Sequence, residues 1–180
     1  MVTVGDILTC LENFAPRSLK MDWDNVGLNC GSRNAPVTKI LVALDPFEHV
    51  CQEAVDIGVD LVVTHHPLIF RAIPMVTDDA AITRGIMNLC RHGISHICAH
   101  TNLDAAQGGV NELLAKQLGL TELTHLHPDG EDREGRTYGI GRVGTLDVSV
   151  PLDAKAFAKK VKQDLDAAGV RYVDAGKHVC

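Results

Sequence analysis

A three-layer α/β/α domain built on a mostly parallel sheet is the fold class this sequence predicts, on two observations. Short continuous apolar runs, as in "KILVALD" and "DLVVTHH", read as strands buried on both faces. They alternate with helical patterns that glycine closes, and strand, helix, strand at such spacing implies right-handed crossovers between parallel strands.

Each element has its own justification. Thr3 is placed to cap a helix, with Asp6 three residues on, and Val4, Ile7, Leu8, Leu11 and Phe14 recur at helical spacing until Pro16 stops them. "MDWDNVGLNCG" follows, a polar, glycine-bearing stretch around the single tryptophan. Residues 39–45 read as a strand, 47–57 as a helix ended by Gly58, and 60–64 as a strand leading into His65 and His66. A helix over 78–91 ends before Gly93, and a strand covers 94–99. "HTNLDAAQGG" then opens a helix over 110–118, closed by Gly119. From 121 to 136 the chain is polar and glycine-rich, after which "YGIGRVGTLDVSV" reads as a strand and 152–168 as an amphipathic helix. "VRYVDAGKHVC" begins a further strand. The expected organisation is a metal-site core over 1–120 and a second α/β segment over 121–180.

Composition narrows the function classes. The 180 residues are 46% hydrophobic and 22% charged, with no low-complexity run, which fits an ordered globular chain. A net charge of −6 and the lack of any Lys/Arg cluster set nucleic acid aside as a partner. Six cysteines are scattered without a C-x-x-C pair, as reduced cysteines are. The start of the chain fits neither a signal nor a transit peptide and no run spans a bilayer, so a cytoplasmic location without a membrane partner is expected.

In an open parallel sheet, ligands bind beyond the carboxyl ends of the strands. Two polar clusters fall there: Thr64, His65 and His66 after one strand, and His100, Thr101, Asn102 and Asp104 after the next. His and Asp side chains from neighbouring strand ends suit a borderline divalent metal such as Zn, Fe, Ni or Mn. Consecutive residues of an extended chain point to opposite sides, so His65 and His66 predict two ions, with Asp104 beside them and a small-molecule substrate. His100 is the candidate catalytic residue, as orienting support or proton shuttle.

Other patterns carry less. The spacing of His92, His96 and His100 is broken by Gly93, and His125 with His127 reads as a surface loop. "VGLNCGS" lacks the Lys and Ser/Thr of a phosphate-cradling loop, there is no nucleophile elbow, and Cys98 reads as core.

"MDWDNVGL", "KILVALD", "DLVVTHHPLIF" and "AHTNLDAAQGGVNELLA" resemble, in order and spacing, the motifs of the GTP cyclohydrolase 1 type 2 homologs, also called NGG-interacting-factor-three-like dinuclear metal proteins. The resemblance covers nearly the whole chain. It implies a three-layer α/β fold, a dinuclear site held by His65, His66 and Asp104, and a ring-shaped homo-oligomer, commonly a hexamer. The family completes its site with a His and a Glu in a segment resembling "DAGHxxTE". "DAGKHVC" at the end of this chain carries no Glu, so no ligand role passes to His178, and the chain is expected to lack the C-terminal part. A metal-dependent hydrolase, acting on a phosphoester or the imidazole ring of GTP, is the expected function; the alternative is a non-catalytic metal-binding scaffold or regulator.

Overall fold

The computed structural model describes residues 1–131, 135–146 and 152–176. The chain divides into two compact units, one over Met1–Ala106 and the other from Gln107 onward.

The first unit begins with helix α1 (Val4–Phe14). Its start is the reciprocal cap the sequence predicts: Thr3 Oγ1 accepts from the Asp6 amide at 3.3 Å, while the Asp6 carboxylate accepts from the Thr3 amide at 2.8 Å. Strand β1 (Gly27–Cys30), strand β2 (Ile40–Ala43), helix α2 (Glu48–Asp56), strand β3 (Leu61–Thr64), helix α3 (Ala81–Arg91), strand β4 (Ser95–Cys98) and the short helix α4 (Thr101–Ala105) follow. The sheet order is β1-β4-β3-β2; β2, β3 and β4 are parallel, and β1 lies antiparallel against β4.

The sheet is therefore mostly parallel, with helices on both faces. Along β3 the side chains alternate between them: Val62 joins Cys51 and Ala54 of α2 and Ile86 and Leu89 of α3, whereas Leu61 joins Val4 and Leu8 of α1. Such fully buried aliphatic side chains each contribute about 1.5–3 kcal/mol.

The polar stretch around Trp23 contains β1, a strand that its composition does not announce. Its run Gly-Leu-Asn-Cys is not continuously apolar, and glycines with positive φ bound it, Gly27 (97°) at its start and Gly31 (100°) just past its end. At Gly31 the backbone passes so close to Ser95 that an added Cβ would stand 2.2 Å from its Oγ. Helix α4, inside the segment read as a helix opening, is a separate element.

In the second unit, helix α5 (Val110–Gln117) packs on a hairpin of strands β5 (Leu120–Glu131) and β6 (Thr137–Leu146), followed by helix α6 (Ala154–Asp164). The polar segment over 121–136 is thus largely strand. Its exposed, polar side chains hide the two-residue period, and pairing with β6 holds it extended. Residues 170–176 form no strand; the rest of that expected strand, with His178, lies outside the described residues. Among the described residues, no helix is long and apolar enough to cross a membrane.

Candidate metal centre

Parallel pairing sets Thr64 of β3 beside Cys98 of β4, so the two strands end together and deliver the polar clusters to one place. The turn after β3 is fixed by its backbone and by one hydroxyl. The His66 amide donates to the Leu44 carbonyl at 3.0 Å, and Thr64 Oγ1 donates to the His66 carbonyl at 2.5 Å. With its proton so used, Thr64 Oγ1 accepts from His96 Nε2 at 2.8 Å.

His65, His66 and His100 converge. Ring centroids are 5.1 Å apart for His65 and His66, 5.0 Å for His65 and His100, and 5.4 Å for His66 and His100. One ring nitrogen from each lies within 4.8 Å of those of the other two. The expectation that His65 and His66 point to opposite sides fails, because β3 ends at Thr64 and the turn brings both rings to one cluster. Alternation of side chains is then no argument for two ions.

Each imidazole is held through Nδ1 by an acceptor. His65 donates to the Ala99 carbonyl at 3.1 Å, His66 to Asp45 at 2.6 Å and His100 to Asp24 at 3.0 Å. A carbonyl or carboxylate accepts only, so Nδ1 carries the proton and Nε2 is left with the lone pair. This is how proteins orient histidines toward a metal, with the far nitrogen tied to an oxygen.

The orienting carboxylates, Asp24 and Asp45, carry no sequence signal of that role. Asp24 has a fully buried carboxylate. Besides His100 it accepts from the Thr101 amide at 3.1 Å and the Thr101 hydroxyl, whose oxygen takes the Met21 amide at 3.0 Å. Burial pushes the Asp24 pKa up, but the bonds from Thr101 and His100 outweigh it and hold the carboxylate below its ordinary range. Asn102 Oδ1 accepts the His100 amide at 3.0 Å and its Nδ2 donates to the Ala15 carbonyl at 2.7 Å. "MDWDN" and "HTN" are thus two halves of one polar lattice around His100.

Asp104, on α4, places an oxygen 3.7 Å from His65 Nε2, on the edge of the cluster. Burial lowers the His65 pKa, opposed by Asp104 and helped by His100 and His66, so the ring is neutral near pH 7 and its lone pair available. Burial raises the Asp104 pKa, against the pull of the three histidines. Three imidazoles, each with Nδ1 tied to an oxygen, and a carboxylate form a donor set that fits a borderline divalent ion.

Cys98 is buried, its thiol donates to the His65 carbonyl at 3.1 Å, and burial pushes its pKa up to about 12, so it is no nucleophile. His125 and His127 lie in β5, opposite Arg142 and Ile140, rather than in a loop.

The model of the family described as Duf34/NIF3 (NGG1p interacting factor 3) matches residues 2–180. A "GTP cyclohydrolase 1 type 2 homolog" from Clostridium perfringens is 37% identical over 169 residues, which are 94% of this chain and 63% of that protein. One of the same name from Streptomyces coelicolor is 35% identical over 95% of this chain and 60% of its own length. The chain thus spans about three fifths of these relatives. A Staphylococcus aureus hypothetical protein superposes with a TM-score of 0.83 at 29% identity, over 95% of this chain and 67% of its own. A Bacillus cereus protein related to NIF3 shares the fold with a TM-score of 0.86 at 24% identity, over 96% of this chain and 74% of its own.

Proposed function

The chain belongs to the Duf34/NIF3 family, and from that premise we propose that it binds divalent metal through His65, His66, His100 and Asp104 and acts as a metal-dependent hydrolase. The observation that supports this most is the shared arrangement of the three histidines, each with Nδ1 locked on an oxygen and Nε2 left to bind. When bound, the metal supplies Lewis acidity to polarise a substrate oxygen and acidify water.

The protein's own groups do the rest. Asp24 and Asp45 hold two of the rings in place, and Asp104 adds negative charge beside His65. The His66 side chain is 43% exposed, so the cluster opens to an incoming molecule. The substrate bond in this reading is a phosphoester or the imidazole ring of GTP, the latter by the name the relatives carry. A second ion rests on the resemblance alone, as does a homo-oligomeric ring; a cytoplasmic setting is supported by the scattered cysteines of the sequence, which form no C-x-x-C pair.

The test is metal analysis and hydrolysis on one preparation. Chelated protein reloaded with Zn²⁺, Mn²⁺ or Fe²⁺ is expected to retain at least one ion per chain and to hydrolyse a generic phosphoester or GTP. His65→Ala is expected to weaken retention by about tenfold or more and to abolish turnover. Retention without turnover of either substrate would point to the scaffold reading instead, and no retention would end both.

A further inference from the structure

A cavity of about 350 Å³ adjoins the histidine cluster, and Asp45 and His66 form part of its lining. Its size is at the small end of ligand pockets, which run from about 300 to 1,000 Å³. The remaining wall is built from Phe47, Leu68, Phe70, Ile73 and Ile82, with Arg71 as its cation. It lies between the start of α2, the start of α3 and the chain that follows the paired histidines.

Three features of this wall select a ligand. Phe47 and Phe70 are 58% and 44% exposed, a poor arrangement for large aromatic rings unless something covers them. Phe70 meets Trp23 edge to face at 5.8 Å, and Trp23 in turn lies edge to face with His100 at 6.3 Å, so the aromatic surface runs on to the candidate metal centre. Among the described lining residues the polar side chains are few, Asp45, His66 and Arg71, and one Asp45 oxygen is already taken by His66, which leaves little to match the several polar atoms of a purine or sugar edge. A ring with many polar edge atoms would lose its water without replacement. A hydrocarbon ring loses nothing by entering. Arg71 balances the formal charge of Asp45 among the lining residues, so the wall as a whole is not anionic.

We propose that this cavity seats the ring of an aryl phosphomonoester, with the ester at the end shared with His66 and Asp45. The assignment rests on the hydrolase reading for the location of the reacting bond, and it narrows the substrate class from phosphoesters in general to aromatic ones, away from GTP. No polar partner is required of the ring itself. Its recognition is burial of apolar area and edge contact with Phe47 and Phe70.

Binding can be measured without turnover. Trp23 is the sole tryptophan and touches Phe70, so its fluorescence reports occupancy of the cavity. Phenyl phosphate, methyl phosphate and GTP are titrated into chelated protein, with calorimetry as a second readout. Phenyl phosphate is expected to bind about tenfold or more tighter than methyl phosphate, the scale set by burying one aromatic ring. Phe70→Ala and Ile82→Ala are expected to remove that preference while leaving methyl phosphate unchanged. Ile82 is 52% exposed, so its variant keeps the fold even if Phe70→Ala does not. Equal binding of the phenyl and methyl esters, tighter binding of GTP, or a preference that survives Ile82→Ala and Phe70→Ala overturns the proposal. Ring binding without hydrolysis in the reloaded protein would leave this cavity assignment standing and remove the hydrolase reading. Hydrolysis without ring preference would do the reverse.

Discussion

At the scale of single residues, the paired histidines depend on a third histidine that takes no direct part. His96 is fully buried, donates from Nε2 to Thr64, and leaves Nδ1 with no hydrogen-bond partner among the described residues. Burial lowers its pKa from 6.5 to about 4. The unfolded chain therefore binds a proton at this residue between pH 6.5 and 4 that the folded chain does not, so stability falls as pH falls through that window. The full difference is about 3 kcal/mol. Denaturant unfolding of the wild type and His96→Gln is expected to show the gap between them changing by that order from pH 7 to pH 4, and a gap independent of pH would refute the assignment. The residues of the histidine cluster were legible because His65, His66 and His100 stand at strand ends, where polar side chains need a reason. Asp24 and Asp45 were not, since a buried carboxylate in a polar stretch and one closing an apolar strand look like ordinary punctuation until their partners, 76 and 21 residues away, are known.

At the scale of elements, the parallel core was readable because β2 and β3 are continuous apolar runs, even though β2 leaves Ile40 and Val42 exposed. β1 and β5 escaped because neither is a continuous apolar run: β1 carries Gly27 and Asn29 beside Leu28 and Cys30, and β5 is exposed along most of its length. The end of β1 shows how sharply a short strand can still be specified. Ser95 Oγ accepts the Ser32 amide at 3.2 Å just where Gly31 turns with φ of 100°. In Gly31→Ala the new methyl would need to displace the backbone of Ser95, 2.6 Å away at Cα, and also adopt a conformation that L residues avoid. A loss of roughly 3 kcal/mol is expected from the clash and the strain together. Thermal unfolding checks it, and a variant within a few tenths of a kcal/mol of wild type would show that β1 relaxes freely. Such a variant should also loosen Asn29, whose Oδ1 accepts the Ile69 amide at 3.3 Å beside the aromatic cavity.

At the scale of the whole molecule, the candidate chemistry belongs to the first unit, because every residue invoked for it falls within Met1–Ala106. A ligand that binds only the native state stabilises by about 2.7 kcal/mol at a hundred times its dissociation constant. Saturating Zn²⁺ is therefore expected to slow amide hydrogen exchange in β3 and α4 and to leave the β5–β6 hairpin unchanged, as read by mass spectrometry. Slowing confined to the hairpin, where His125 and His127 lie, would relocate the metal. The three-layer class, the order of the core elements and the family were all accessible from "THHP" and "HTNLD" in their places along the chain. The organisation of the second unit was not, since its hairpin is held by cross-strand pairing that leaves little trace in composition.

The bond between Asp24 and His100 also bears on how the chain folds. It spans 76 residues, enclosing the whole of the sheet between its ends. Closing so long a loop costs chain entropy before its contacts return anything, so this bond cannot nucleate folding and has to wait for β3 and β4 to pair. The histidine cluster is then a late product of folding, and a chain that has collapsed without completing its sheet carries all the ligands but not the site.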